Sequence, residues 1–219
     1  MKKALVATLV YAASAFAAWD YFPVIEHGKG EAKAGFIQGR QGNQGWGPDL
    51  ETFKLRYSPL ENLELLSQIG YTLGVRYQII PVLSAGFDIG FPIPNTAWIF
   101  TPNAQFSMSL TDALSLGSNV QVTIITENPA KNNEGINLST GVELDLAIGK
   151  SIVWVACDVN TGLTDRRQND GGLEIVPKLG YVAVLGNLSL GTNVGWAFGK
   201  DAGHDNFATF IGLDFSVKF

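Results

Sequence analysis

The chain has 219 residues, 46% of them hydrophobic and only 16% charged, with a formal net charge of −5. That acidic balance argues against nucleic acid as a partner, and a single cysteine, Cys157, excludes an internal disulfide. Beyond its first residues the chain is oily without any run of 18 apolar residues, so no transmembrane helix accounts for its apolar content.

The N-terminus reads as an export signal. Met1, Lys2 and Lys3 make a short basic start, Ala4 to Ala13 is apolar apart from Thr8 and Tyr11, and Ala15-Phe16-Ala17 offers an A-x-A cleavage site. Removing residues 1–17 leaves 202 residues with a formal charge of −7, enough for one mid-sized barrel. Residues 18–29, "AWDYFPVIEHGK", precede the first strand and carry Trp19, Tyr21, Phe22 and Ile25. So many large apolar groups are expected to pack against something rather than stay in water.

From Gly30 onward the period is two, the signature of strands. The spacing predicts strands at 30–41, 49–57, 63–69, 71–79, 82–91, 98–110, 114–126, 135–148, 151–162, 172–185, 188–199 and 206–219, twelve in all. The eighth sets Ile136, Leu138, Val142, Leu144 and Leu146 against Asn137, Ser139, Gly141, Glu143 and Asp145. The eleventh sets Leu188, Leu190, Val194, Trp196 and Phe198 against Ser189, Gly191, Asn193, Gly195 and Ala197. Such runs exceed the roughly 5–6 residues of a usual strand and suit the roughly 9–11 of a tilted strand crossing a bilayer. One boundary is weak, because "LELLSQIGYTLGVRYQII" alternates from Leu63 to Ile79 without an obvious turn. Read as one strand it gives eleven; chain parity favours a reversal near Ile69-Gly70-Tyr71. Connections alternate between short (58–62, 80–81, 111–113, 149–150, 186–187) and longer (42–48, 92–97, 127–134, 163–171, 200–205). Alternating turn lengths fit an up-and-down antiparallel barrel.

Alternation alone does not say which face is outside, since a soluble barrel puts its apolar side inward. Three features favour lipid. The polar face is dominated by Gly, Ser, Asn and Ala, whereas a soluble exterior is rich in Lys and Glu. Aromatics gather at strand ends: Phe91, Trp98, Trp196, Phe198 and Phe207 by the long loops, and Tyr57, Tyr77, Tyr181 and Phe219 by the short turns. Finally, "GLDFSVKF" alternates strictly up to Phe219, which requires a partner for its backbone and an apolar place for its ring. The stretch "FIGLDFSVKF" resembles the C-terminal β-signal of Gram-negative outer-membrane proteins. "FKLRYSPLENLELLSQIGYTLGVRYQII" is similar, more loosely, to small porin-like and transport barrels.

The resemblance implies that Phe215, Val217 and Phe219 are read by the barrel-assembly machinery. It also implies that the barrel sits in outer-membrane lipid and lipopolysaccharide. The expected fold is therefore all-β: a transmembrane antiparallel up-and-down β-barrel of about twelve strands over 30–219. It follows a signal peptide (1–17) and a periplasmic segment (18–29).

Little points to catalysis. His27 and His204 are the only histidines, and neither has a Ser or Asp spaced as nucleophile and base. "IGKS" lacks the first glycine of a phosphate loop and reads as a tight turn, and "DVNTG" lacks the later acidic ligand of a calcium loop. In loop 163–171, Arg166 and Arg167 among Asp165 and Asp170 fit a solvated loop or contact with lipopolysaccharide phosphates. No cofactor or metal is expected, and no enzyme.

The inward face is more informative. It is expected to carry Lys54, Arg56, Arg76 and Lys178 together with Glu64, Asp88, Glu143, Asp145, Asp158, Glu174 and Asp214. Facing lipid at midplane would cost roughly 2–4 kcal/mol for each Arg or Lys. Two uses remain open: lining a narrow pore for small hydrophilic or charged solutes, or pairing across the lumen in a non-conducting barrel that acts through its loops.

Overall fold

The computed structural model describes residues 25–41, 47–68, 72–91, 97–126, 135–165, 173–199 and 207–219. They form twelve strands: β1 (Gly30–Gln41), β2 (Gly47–Leu60), β3 (Leu63–Gln68), β4 (Thr72–Ile80), β5 (Leu83–Gly90), β6 (Ile99–Ser109), β7 (Leu114–Ile125), β8 (Gly135–Ile148), β9 (Ser151–Asp165), β10 (Leu173–Leu185), β11 (Leu188–Gly199) and β12 (Phe207–Lys218). Each pairs antiparallel with its sequence neighbours, and β1 pairs with β12 to close the barrel. The weak boundary resolves into two strands, since Gln68 pairs with Thr72 across residues 69–71. β2 and β9 run further toward the long loops than the alternation predicts, because their ladders continue to Gly47 and Asp165. Residues 1–17, expected to be a signal peptide, and residues 18–24 of the lead segment lie outside the described residues.

Three of the short turns use a residue that accepts a left-handed backbone. Asn62 (φ 62°) ends the β2–β3 turn, and Gly149 (φ 62°) and Gly186 (φ 73°) open those after β8 and β10. "IGKS" is thus a hairpin turn.

Apolar side chains cover the outside. Val142 is 45% exposed and Leu213 59%, and Leu65, Leu73, Phe87 and Val155 stand out on other strands. An apolar belt this continuous is unstable in water and natural in lipid. Phe91 lies 5.6 Å from Trp98 and Phe198 lies 5.2 Å from Phe207 at the long-loop rim. Tyr57, Tyr77 and Tyr181 face outward near the short turns. Two aromatic girdles result, where amphipathic rings meet the headgroups.

The seam between first and last strands is bonded to its end. Gly30 N–H donates to Phe219 O at 2.8 Å, and Phe219 N–H donates to Gly30 O at 3.0 Å. A Cβ on Gly30 would fall 2.3 Å from the Phe219 ring, so the glycine makes room for the aromatic group on the outer surface. Phe215 and Val217 face outward on the same strand.

The facing of the strands can be tested directly. Val142→Arg should cost about 2–4 kcal/mol in urea titrations of the lipid-embedded barrel. Gln121→Arg, one strand away and inward, should cost much less. Equal penalties at the two positions would contradict the assigned faces.

Candidate functional site: the barrel lumen

The register puts Lys54 and Arg56 (β2), Glu64 (β3), Arg76 (β4), Asp88 (β5), Glu143 and Asp145 (β8), Asp158 (β9), Glu174 and Lys178 (β10) and Asp214 (β12) at inward positions. Among the described residues, three inward ionic ones were not singled out from the sequence: Glu31 and Lys33 on β1 and Lys218 on β12. Their signal was present in "EAKAG" and "VKF". Flanked by alanines, however, Glu31 and Lys33 show little contrast between faces.

The short-turn half of the interior is filled. Every strand contributes at least one buried side chain there, from Glu31 on β1 through Ser84 on β5 and Ser115 on β7 to Ser189 on β11 and Ser216 on β12. Across β1–β4 this floor is ionic, and Glu31, Arg56 and Glu64 are each 0% exposed. Arg56 donates from Nε and Nη2 to Glu31 Oε2 at 3.0 and 2.6 Å. Its Nη1 lies 3.5 Å from Glu64 Oε2, and Arg76 Nη1 lies 3.6 Å from Glu64 Oε1. Register explains this order, since Glu31 stands directly opposite Arg56 and Glu64 opposite Arg76. Burying a charge costs several kcal/mol unless it is paired, and the alternation of signs along the chain of four supplies each with a partner. The backbone joins in: Ile25 N–H donates to Glu64 Oε2 at 3.1 Å.

Across β9 and β10 the floor is apolar, with Ile152, Trp154, Ala156 and Val182 packed together and Val184 beside them. A Cβ on Gly180 would lie 2.2 Å from the Trp154 ring, so the indole occupies the space over that glycine. Sequence reasoning missed this wall. "IVWVAC" and "YVAVL" are apolar at nearly every position, so alternation cannot tell inside from outside. The small residue facing the Trp was the one available sign. Glu143 and Asp145 on β8 have Ala156 and Trp154 as register partners. Among the described residues neither carboxylate is in an ion pair.

Beyond the floor, toward the long loops, lies a cavity of about 350 Å³. Its charged lining comes from Lys54, Arg76, Asp88, Asp158 and Lys178, and its neutral polar lining includes Thr101, Asn119, Gln121, Thr123, Ser139 and Asn160. Asn119, Gln121 and Thr123 are successive inward positions of β7, which the period of two aligns as a ladder. The charges are held by neighbours. Asn103 Nδ2 donates to Asp88 at 3.1 Å, Lys178 pairs with Asp158, and Asn160 Nδ2 donates to Glu174 at 2.9 Å. Near β12, Lys33 Nζ lies 3.4 Å from Asp214, which also accepts from Asn193 Nδ2 at 3.3 Å. A second apolar patch, Val176 and Ala197 with Ala208 and Phe210, covers the interior of β10–β12.

Such a lumen offers hydrogen bonds and fixed charges to a small polar solute. Among the described residues no group of three or more His, Cys, Asp or Glu side chains could hold a metal ion. His27 is exposed in the turn before β1. His204, Arg166 and Arg167 lie outside the described residues.

By sequence the chain matches no protein-family model and no curated protein. By fold it is similar to an outer-membrane channel from Pseudomonas putida F1, with a TM-score of 0.61 at 10% identity, covering 90% of this chain and 98% of that one. It is also similar to a bacterial polysaccharide outer-membrane secretin, with a TM-score of 0.51 at 10% identity, covering 89% of this chain and 100% of that one. At such identities the likeness establishes a shared fold, the closed barrel of outer-membrane proteins.

Gly180→Ala drives a methyl group into the Trp154 ring and should destabilise the barrel by about 1–3 kcal/mol in denaturant titrations. In a Trp154→Leu background most of that penalty should vanish, because the two positions share one space.

Proposed function

We propose that the protein is an outer-membrane channel through which small hydrophilic or charged solutes pass passively along a narrow lumen. One observation carries the reading: ionisable side chains from most of the strands are gathered inside a lipid-facing barrel, around a polar cavity. Stability alone does not ask for this, because well-packed apolar groups of similar volume generally close a core as well as buried ion pairs or better. Small eight-stranded barrels are filled by side chains and sixteen-stranded ones hold open water; twelve strands lie between. The description of the Pseudomonas putida neighbour as an outer-membrane channel supports the same reading.

Lys54, Arg76 and Lys178 come from β2, β4 and β10, and Asp88 and Asp158 from β5 and β9. The resulting field across the lumen favours polar and charged solutes over apolar ones. We assign Arg56, Glu64, Glu143 and Asp145 to the narrow floor, and Glu174 and Asp214 to the wall above it. In the same reading residues 1–17 export the chain and both termini lie in the periplasm. The outward Phe215, Val217 and Phe219 are the signal offered to the barrel-assembly machinery. Lipid and lipopolysaccharide surround the finished barrel.

The test is swelling of liposomes that carry the refolded protein, challenged with sugars of graded size. Swelling should fall with solute size. No swelling from a sample whose barrel is shown intact by heat-modifiable migration contradicts the reading. Lys54→Gln with Lys178→Gln should move the reversal potential in a salt gradient toward cation preference; an unchanged potential would remove these lysines from the permeation path.

A further inference from the structure

The two halves of the floor are not held equally. On the apolar side the Trp154 ring is keyed into the space over Gly180, and its movement would disrupt close packing with Ile152 and Val182. On the ionic side the links grow weaker along the chain of four. Arg56 grips Glu31 at 2.6 Å, whereas Glu64 stands 3.5 Å from Arg56 and 3.6 Å from Arg76. Glu64 Oε1 is buried and accepts no hydrogen bond. A buried carboxylate that is only partly satisfied is the least secure member of such a network.

Glu64 is also where the stretch before β1 touches the floor. Lys29 N–H bonds to Glu26 O at 3.1 Å and Gly28 N–H to Ser58 O at 2.8 Å, with Gly28 at φ +75°. This turn folds the chain back so that Ile25 N–H reaches the Glu64 carboxylate from the inner side. Residues 25–27 belong to no strand, so they can leave without breaking a ladder bond that holds the barrel closed.

We propose that Glu64 is the hub of a latch. In the closed state it holds Arg56, Arg76 and the backbone of Ile25, and release of Glu64 opens the floor on the β1–β4 side while the Trp154 wall stays fixed. The proposal adds regulation to the channel reading and rests on it for the consequence of opening, though the latch itself can be seen without conduction. The stretch before β1 is then the handle by which a periplasmic event reaches the lumen.

The test uses the full chain refolded in lipid vesicles, with Cys157→Ala removing the native thiol and Ser84→Cys placing a reporter in the floor, where Ser84 is 1% exposed. A membrane-impermeant maleimide reads opening, and planar-bilayer current reads conduction. With the latch intact the introduced thiol should react slowly. Glu64→Gln should speed the reaction about tenfold or more, as expected when a hydrogen bond to a charged group no longer holds the closed state. Ile25→Pro removes the backbone donor, lies outside the strands, and should speed it several-fold where Ile25→Ala, which keeps the N–H, does not; it carries the test if Glu64→Gln does not fold. Faster labelling with larger current supports both the latch and the channel. Faster labelling without current keeps the latch and overturns the channel reading. Rapid labelling before any change, or equal slow labelling in both variants, overturns the latch whatever the current does.

Discussion

Lipid offers nothing to a bare backbone amide, so every N–H and C=O at membrane depth must be paired within the protein. Here that constraint is met by the seam of β1 on β12, carried to the reciprocal bonds between Gly30 and Phe219. Closure leaves no strand with a free edge and gives every residue one of two addresses, lipid or lumen. Most leucine, valine and aromatic residues take the first, with Trp154, Val176 and Val182 turned to the second. Among the side chains described within the strands, charged groups take the second, because the alternative costs more than any surface contact returns.

Confinement then shapes the interior. A twelve-stranded lumen is too wide for serine and glycine alone to fill, and it leaves room for arginine, glutamate and tryptophan to lie over the neighbouring strands. In the short-turn half they do so, with ion pairs over β1–β4 and an apolar wall over β9 and β10. Toward the long loops the inward residues are shorter or lie against the wall, and a polar cavity remains. A cavity at one end and a floor at the other describe a vestibule above a constriction. A channel that must stay shut to most solutes and pass a few has that shape.

Much of this was legible in the sequence. Twelve strands, their alternation of short and long connections and the outward apolar face follow from the period of two, and eleven of the inward ionic residues were found the same way. The failures have physical causes. Alternation needs contrast, and Glu31 and Lys33 among alanines and Trp154 among valines supply little. The division of the lumen was hidden for a different reason. Glu31 meets Arg56, and Trp154 covers Gly180, because of register between strands; residues well apart in the chain share a level only once neighbouring strands pair. The reversal at residues 69–71 was legible only by parity, since the strands on either side keep the same alternation through it.

Single-channel recording from the refolded full chain bears most directly on a lumen with a polar cavity toward the long loops and a closed floor at the other end. Discrete openings from a closed baseline are expected, with the open current reduced by small neutral polymers and unaffected by large ones. A steady current with no closures would mean that the floor does not close the lumen. Silence from a barrel shown to be folded and inserted would mean that the polar interior serves something other than passage.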